Sequence, residues 1–294
     1  QNGRYACRCG NDAHKIPWVT IGDYDGHYLR KVIAHSGENS PPKVRLTVRG
    51  TMDEYRTSQN VLAELPGTSD EWVILTAHVD GYWDATLDNG SGLAAMMTLA
   101  RYYAQKPRSE RTRNMLFLAA GDHEVPGAGG TVHFAMNHAD ILEKTAVVYQ
   151  LEHLTSIAES EELAAFSLLN TENPRGIFVT NMSPLLLELF VEAADRYGIV
   201  TPIGTYPNYW GDVVGFMGTG VTACGWIESN YFYHSDLDGL DVVTPQGLER
   251  ITRAYAWIMD EVEKHTREEL EEGAIETPSL HYDSEVQSFL HSLW

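Results

Sequence analysis

Apolar residues along this chain fall into short uninterrupted runs separated by stretches with helical spacing. The runs at 72–77, 114–120 and 146–151 are too short for helices and have the continuous apolar character of buried strands. Runs at 176–180 and 221–227 extend the set, and alternation at 43–49 and 60–64 predicts two more strands. Apolar positions recur at three- and four-residue spacing over 92–103, 131–136, 183–197 and 244–264, which predicts helices. Ser183-Pro184 and Thr244-Pro245 each set a capping side chain before a first-turn proline. Residues 1–43 read as an irregular N-terminal segment closing in a loop at 36–42. The repeated strand-then-helix order predicts an α/β fold, a mixed, mostly parallel central sheet sandwiched by helices. That fold is expected over 44–273, followed by a tail at 274–294 whose Leu280, Phe289, Leu290 and Trp294 need cover.

The bulk properties remove several classes of function. At 294 residues the chain can bury a full core, and no apolar run is long enough to cross a bilayer, so no membrane insertion is expected. A formal net charge of -20 argues against a nucleic-acid partner, which needs clustered Lys and Arg. Three cysteines make no disulfide framework: Cys7 and Cys9 read as inert, and Cys224 reads as a small core residue. The chain starts at Gln1 with no signal peptide, so the native N-terminus is expected to have been removed.

Against that background, His78, Asp88, Glu124, Glu152 and His234 stand out, most of them just past the end of an expected strand. Sites in open parallel sheets form beyond the carboxyl ends of the strands. Neutral imidazole and carboxylate together suit zinc and related divalent ions. Two histidines and three carboxylates exceed what one tetrahedral ion needs and suit two ions sharing a carboxylate. Asp80, two residues past His78, has the place of an acid that steers a metal-bound imidazole. His133 and His138 are five apart, off the spacing of a helical metal pair, and read as surface. Tyr206, Tyr209, Trp210, Tyr231, Phe232 and Tyr233 crowd two loops near the expected site, as loop packing or as an apolar specificity pocket.

Four strings, taken in order, resemble one family: Thr76-Ala77-His78-Val79-Asp80, Leu87-Asp88-Asn89-Gly90-Ser91-Gly92, Gly121-Asp122-His123-Glu124 and Tyr233-His234-Ser235. They look like the di-zinc aminopeptidase and glutamate carboxypeptidase family of zinc-dependent exopeptidases, with a match running from about residue 57 to 264. The segment from Ile16 to Ala34 also resembles the end of a protease-associated domain, so residues 1–43 are expected to be its remnant, or the chain to be a fragment of a longer protein. The resemblance implies a zinc-exopeptidase fold, a peptide or small amide substrate, two zinc ions and a secreted or extracytoplasmic location. It implies that His78 and Glu152 bind one ion, that Glu124 and His234 bind the other, and that Asp88 bridges them. It also implies a cis peptide between Asp88 and Asn89, and an Asp80 that orients His78. Glu152 stands where most relatives have Asp. The departure is His123, at the position where relatives carry the glutamate that moves the proton. Histidine can serve as that base; Asp122 or His153 can take over; or the site binds metal with little turnover. Asp212 aligns loosely with a Ser-Asp-His string of the family. Two other expectations stay open beside an exopeptidase: a silent metal-binding or scaffold member of the superfamily, and a glutaminyl-cyclase-like transferase.

Overall fold

The structure, a computed structural model, describes residues 21–37, 39–47, 49, 57–124, 128–159, 168–172, 176–199, 211–227, 232 and 234–275. The chain runs through helix α1 (Asp23–Ala34), strands β1 (Val61–Leu65) and β2 (Trp72–His78), helix α2 (Gly92–Gln105) and strand β3 (Asn114–Ala120). Helices α3 (Gly129–Asn137) and α4 (Ala139–Leu142) follow, then strands β4 (Thr145–Leu151), β5 (Ile157–Glu159), β6 (Leu168–Glu172) and β7 (Gly176–Val179). Helix α5 (Pro184–Tyr197), strand β8 (Ala223–Ile227) and helices α6 (Pro245–Val262) and α7 (Arg267–Glu271) complete it.

Six strands form one sheet in the order β1-β3-β2-β4-β8-β7. The inner pairs β3/β2, β2/β4 and β4/β8 are parallel, and the edge strands β1 and β7 run antiparallel to their neighbours. This is the mostly parallel sheet the strand-helix order predicts. Parity explains its two cores. Val73, Leu75 and Ala77 of β2, with Val147, Tyr149 and Leu151 of β4, face a core built with α2, α5 and α6. Ile74, Leu116, Leu118 and Val148 face the opposite core, under Phe134 of α3 and Val213 and Phe216 of the 3-10 segment Gly211–Phe216. Both faces being covered, the central strands read as continuous apolar runs. The caps behave as expected: the Ser183 hydroxyl accepts from Leu186 N–H at 3.2 Å and that of Thr244 from Gly247 N–H at 3.1 Å.

Three expectations need correction. Residues 43–47 and 49 form no strand; Val44 and Leu46 are exposed, and alternation without a surface to bury against does not make a strand. The segment read as irregular contains α1, most of whose residues are exposed, so burial periodicity could not reveal it. The antiparallel pair β5/β6 was too short to mark itself in the sequence. Cys7, Cys9 and the tail at 276–294 lie outside the described residues; Cys224 is buried in the first core, as expected. Among the described residues no helix is long and apolar enough to cross a membrane.

One side chain stitches the sheet where it carries the site. The Tyr255 hydroxyl of α6 donates to the Gln150 carbonyl of β4 at 2.7 Å and accepts from the Trp226 N–H of β8 at 3.0 Å. It thereby satisfies two backbone groups on neighbouring strands, two residues before Glu152. Tyr255→Phe leaves both unpaired in a fully buried position, and is expected to lower stability by about 1–3 kcal/mol. Urea denaturation of the two proteins measures the difference.

Candidate metal centre

Parallel pairing of β2, β3, β4 and β8 brings their carboxyl ends to one edge of the sheet. His78 is the last residue of β2, His123 and Glu124 follow β3, Glu152 and His153 follow β4, and His234 follows β8. Asp88 comes from the irregular turn Thr86–Ser91 that leads into α2, and its peptide bond to Asn89 is cis. The turn is held from below by Phe232 and Val242 packing on Leu87. It is held from the side by Asp238, whose carboxylate accepts from Leu87 N–H (2.7 Å) and Asp88 N–H (3.0 Å). Gly92 is required here, because a Cβ would fall 2.0 Å from the Leu151 carbonyl oxygen.

His78, Asp88, His123, Glu124, Glu152 and His234 come together, all of them buried. Asp88 is the hub. Its Oδ1 lies 3.0 Å from His78 Nε2 and 2.9 Å from His153 Nε2, and its Oδ2 lies 3.3 Å from His234 Nε2. His234 Nε2 is 3.0 Å from Glu124 Oε2. Glu152 Oε1 is 3.7 Å from the Nε2 atoms of both His123 and His153. Ligand atoms of three trios lie within 4.8 Å of one another: His78, Asp88 and Glu124; His78, His123 and Glu152; Asp88, Glu152 and His153.

Asp80 acts differently from the expectation. Its carboxylate is 3.9 Å from His78 Nδ1, and the backbone carbonyl of Asp80 takes that contact instead, at 2.8 Å. The carboxylate accepts from the backbone N–H groups of His123 (3.1 Å) and Glu124 (2.8 Å), tying the end of β2 to the turn after β3. Asp122 does not join the cluster: it lines a separate cavity of about 520 Å³ with Asn60, Gly130, His133 and His138. His133 is exposed, as expected of a surface residue. Of the aromatic loop residues only Phe232 is described, and it packs on Leu87; Tyr206, Tyr209, Trp210, Tyr231 and Tyr233 lie outside the described residues.

Further side chains complete the cluster. Asp212, fully buried on the 3-10 segment, has Oδ1 2.7 Å from His123 Nδ1 and accepts from the Thr76 hydroxyl at 3.2 Å. Its backbone N–H donates to Glu152 Oε2 at 3.2 Å. That approach needs Gly211, at φ 58°, where a Cβ would sit 1.9 Å from the same oxygen. The sequence carried a signal: Thr76 and Gln150 are buried polar residues in otherwise apolar strands, and each meets this segment. His153 was considered for proton transfer and not as a neighbour of Asp88. Tyr82 lays its ring against His234 (5.0 Å between centroids) and donates to the Glu124 carbonyl at 3.1 Å. Ala85, Asp122, His153 and His234 all have positive φ, so the loops around the cluster hold non-glycine residues in the left-handed region.

The electrostatics show what charge the cleft attracts. Burial alone opposes protonation of His78, yet Asp88, Asp212 and Glu152 push its pKa up to about 10. Burial would raise Asp88, but His153, His234 and His78 hold it well below the usual carboxylate range. Burial opposes protonation of His234, and Asp88 and Glu124 overcome that and raise it. These carboxylates draw positive charge into a water-poor pocket. His78 Nε2 and both Asp88 oxygens are also buried without a hydrogen-bond partner. Close nitrogen and oxygen donors that are not hydrogen-bonded to each other fit a divalent cation placed among them.

The sequence profile of peptidase family M28 matches residues 60–259, more than half of the chain. The chain belongs to peptidase family M28. Among solved structures, a zinc aminopeptidase from Bacillus subtilis is similar at 21% identity and a TM-score of 0.55, covering 71% of this chain and 52% of that one. A peptidase M28 precursor from Shewanella amazonensis is similar at 23% identity and a TM-score of 0.52, covering 70% of this chain and 45% of its own. A glutaminyl cyclase from an Acidobacteriales bacterium is similar at 16% identity and a TM-score of 0.53, covering 70% of this chain and 73% of its own. These likenesses show that the chain shares the fold of those three proteins. The chain spans about half the length of the aminopeptidase and the peptidase precursor. Among curated proteins none matches.

Asp238 has no ligand atom in the three trios, yet it holds the backbone of Asp88. Asp238→Ala is expected to weaken zinc binding by about 10–100-fold, as loss of a ligand-orienting partner does. Competition with a chromophoric chelator measures the change.

Proposed function

We propose that this M28 chain is a metal-dependent hydrolase of peptide or related amide bonds, an aminopeptidase or related exopeptidase, that uses two zinc ions. The observation that carries the reading is the convergence of His78, Asp88, Glu124, Glu152 and His234 on one edge of the sheet, with Asp88 at the hub. In this reading His78 and Glu152 hold one ion, Glu124 and His234 hold the other, and Asp88 is shared. Bound zinc supplies Lewis acidity, polarising the scissile carbonyl and making water a nucleophile at neutral pH. Asp80 fixes the turn that presents residues 123 and 124, and Asp238 fixes the turn that presents Asp88. Burial of the donors excludes bulk water, which strengthens every charge interaction in the cleft. His123 stands at the proton-carrying position, its Nδ1 on Asp212 and its Nε2 toward Glu152.

A second reading, a metal-binding member with little turnover, is favoured by one observation: position 123 carries no carboxylate, and its imidazole is held by a buried aspartate. The two readings separate on a panel of aminoacyl, dipeptide and ester substrates. The hydrolase reading expects turnover that a chelator abolishes and zinc restores; bound zinc with no turnover on any substrate selects the second. His123→Glu separates them as well: amide turnover raised by about 10²-fold marks the wild type as a weakened member, and loss of a native activity gives His123 a role of its own. An unchanged rate in that variant would mean that position 123 does not limit proton transfer.

A further inference from the structure

The two nitrogens of His123 are in different situations. Nδ1 lies 2.7 Å from Asp212 Oδ1, and Asp212 is itself fixed by the Thr76 hydroxyl and by its own N–H to Glu152. Nε2 is buried, has no hydrogen-bond partner, and stands 3.7 Å from Glu152 Oε1. His78 repeats the arrangement: Nδ1 meets the Asp80 carbonyl at 2.8 Å, and Nε2 is buried without a hydrogen-bond partner. The two imidazoles stack with centroids 3.8 Å apart and planes within 6°. His78, His123 and Glu152 each bring a ligand atom within 4.8 Å of the other two.

An imidazole that hands one N–H to a carboxylate or carbonyl has its tautomer fixed and its other nitrogen made more basic, the condition in which histidine ligates metals. A glutamate at 123 would present only oxygen and would have no proton to share with Asp212. The histidine therefore changes what the position offers, and the buried Asp212 is its complement. We propose that His123 is a metal ligand of this chain, joining His78 and Glu152 around one ion, with Asp212 as its positioning residue. That trio is two imidazoles and one carboxylate, nitrogen and oxygen donors of the kind that suit zinc. The inference rests on the metal centre of the proposed function and replaces the proton-carrying role given there to His123, since a nitrogen that ligates a metal has no lone pair left for a proton.

The test is metal binding by the full chain, followed by calorimetry with zinc and by the visible d–d bands of the cobalt form. H123F keeps a ring to stack on His78 but carries no nitrogen, and D212N in the same protein avoids stranding a buried carboxylate. In this double variant at least one binding step is expected to weaken tenfold or more, with altered cobalt bands. D212N alone is expected to weaken the same step by about 10–100-fold. A double variant with native circular dichroism that binds cobalt as tightly as the wild type, with unchanged bands, overturns the assignment and leaves the metal centre standing. A wild type that binds neither ion overturns both. Should the double variant not fold, ¹⁵N-imidazole spectra of the wild type decide: zinc moves the His123 Nε2 resonance if it ligates, and an unmoved resonance refutes ligation.

Discussion

Carboxylates gathered out of water dominate this molecule's chemistry. Asp88, Glu124, Glu152 and Asp212 are all buried at one end of the sheet, where charges interact more strongly than at the surface. Such a group is tolerable only if positive charge answers it. At His78 and His234 the neighbouring carboxylates outweigh burial and raise the imidazole pKa. A divalent ion answers it better, since it serves several carboxylates at once and leaves the imidazoles neutral. Binding then couples to proton release and to the order of the surrounding loops.

The sheet is what makes that concentration of charge possible. Four parallel strands end together, and each contributes one or two side chains to a common edge. Parity assigns the supporting groups: Thr76 and His78 on β2, and Gln150 and Glu152 at the end of β4, lie on the face covered by the 3-10 segment. Asp212 reaches His123 because that segment packs on the sheet through Val213 and Phe216. The apolar core beneath is thus the foundation of a polar cluster above it.

Much of this was legible in the sequence, for particular reasons. The buried strands announce themselves as unbroken apolar runs because both faces are covered, and capping pairs at Ser183 and Thr244 mark the helix starts. Ligands placed just past those runs converge because parallel strands share an end. What could not be read depends on three dimensions. Asp212 is 89 residues from His123 in sequence, and Asp238 is 150 from Asp88. The Asp80 backbone carbonyl, rather than its carboxylate, faces His78 because the carboxylate is taken by the next turn. Residues 43–47 and 49 illustrate the converse: the alternation is present, yet Val44 and Leu46 are exposed and no strand forms.

The Asp80 clamp has an evolutionary corollary. It grips the main chain at 123 and 124 and is indifferent to the side chain at 123. Glu124, held by the same clamp, lies 3.0 Å from His234. A fold arranged this way can trade one reactive group for another without disturbing the neighbour beside it, so new chemistry can be sampled at a single codon while the rest of the pocket keeps its shape.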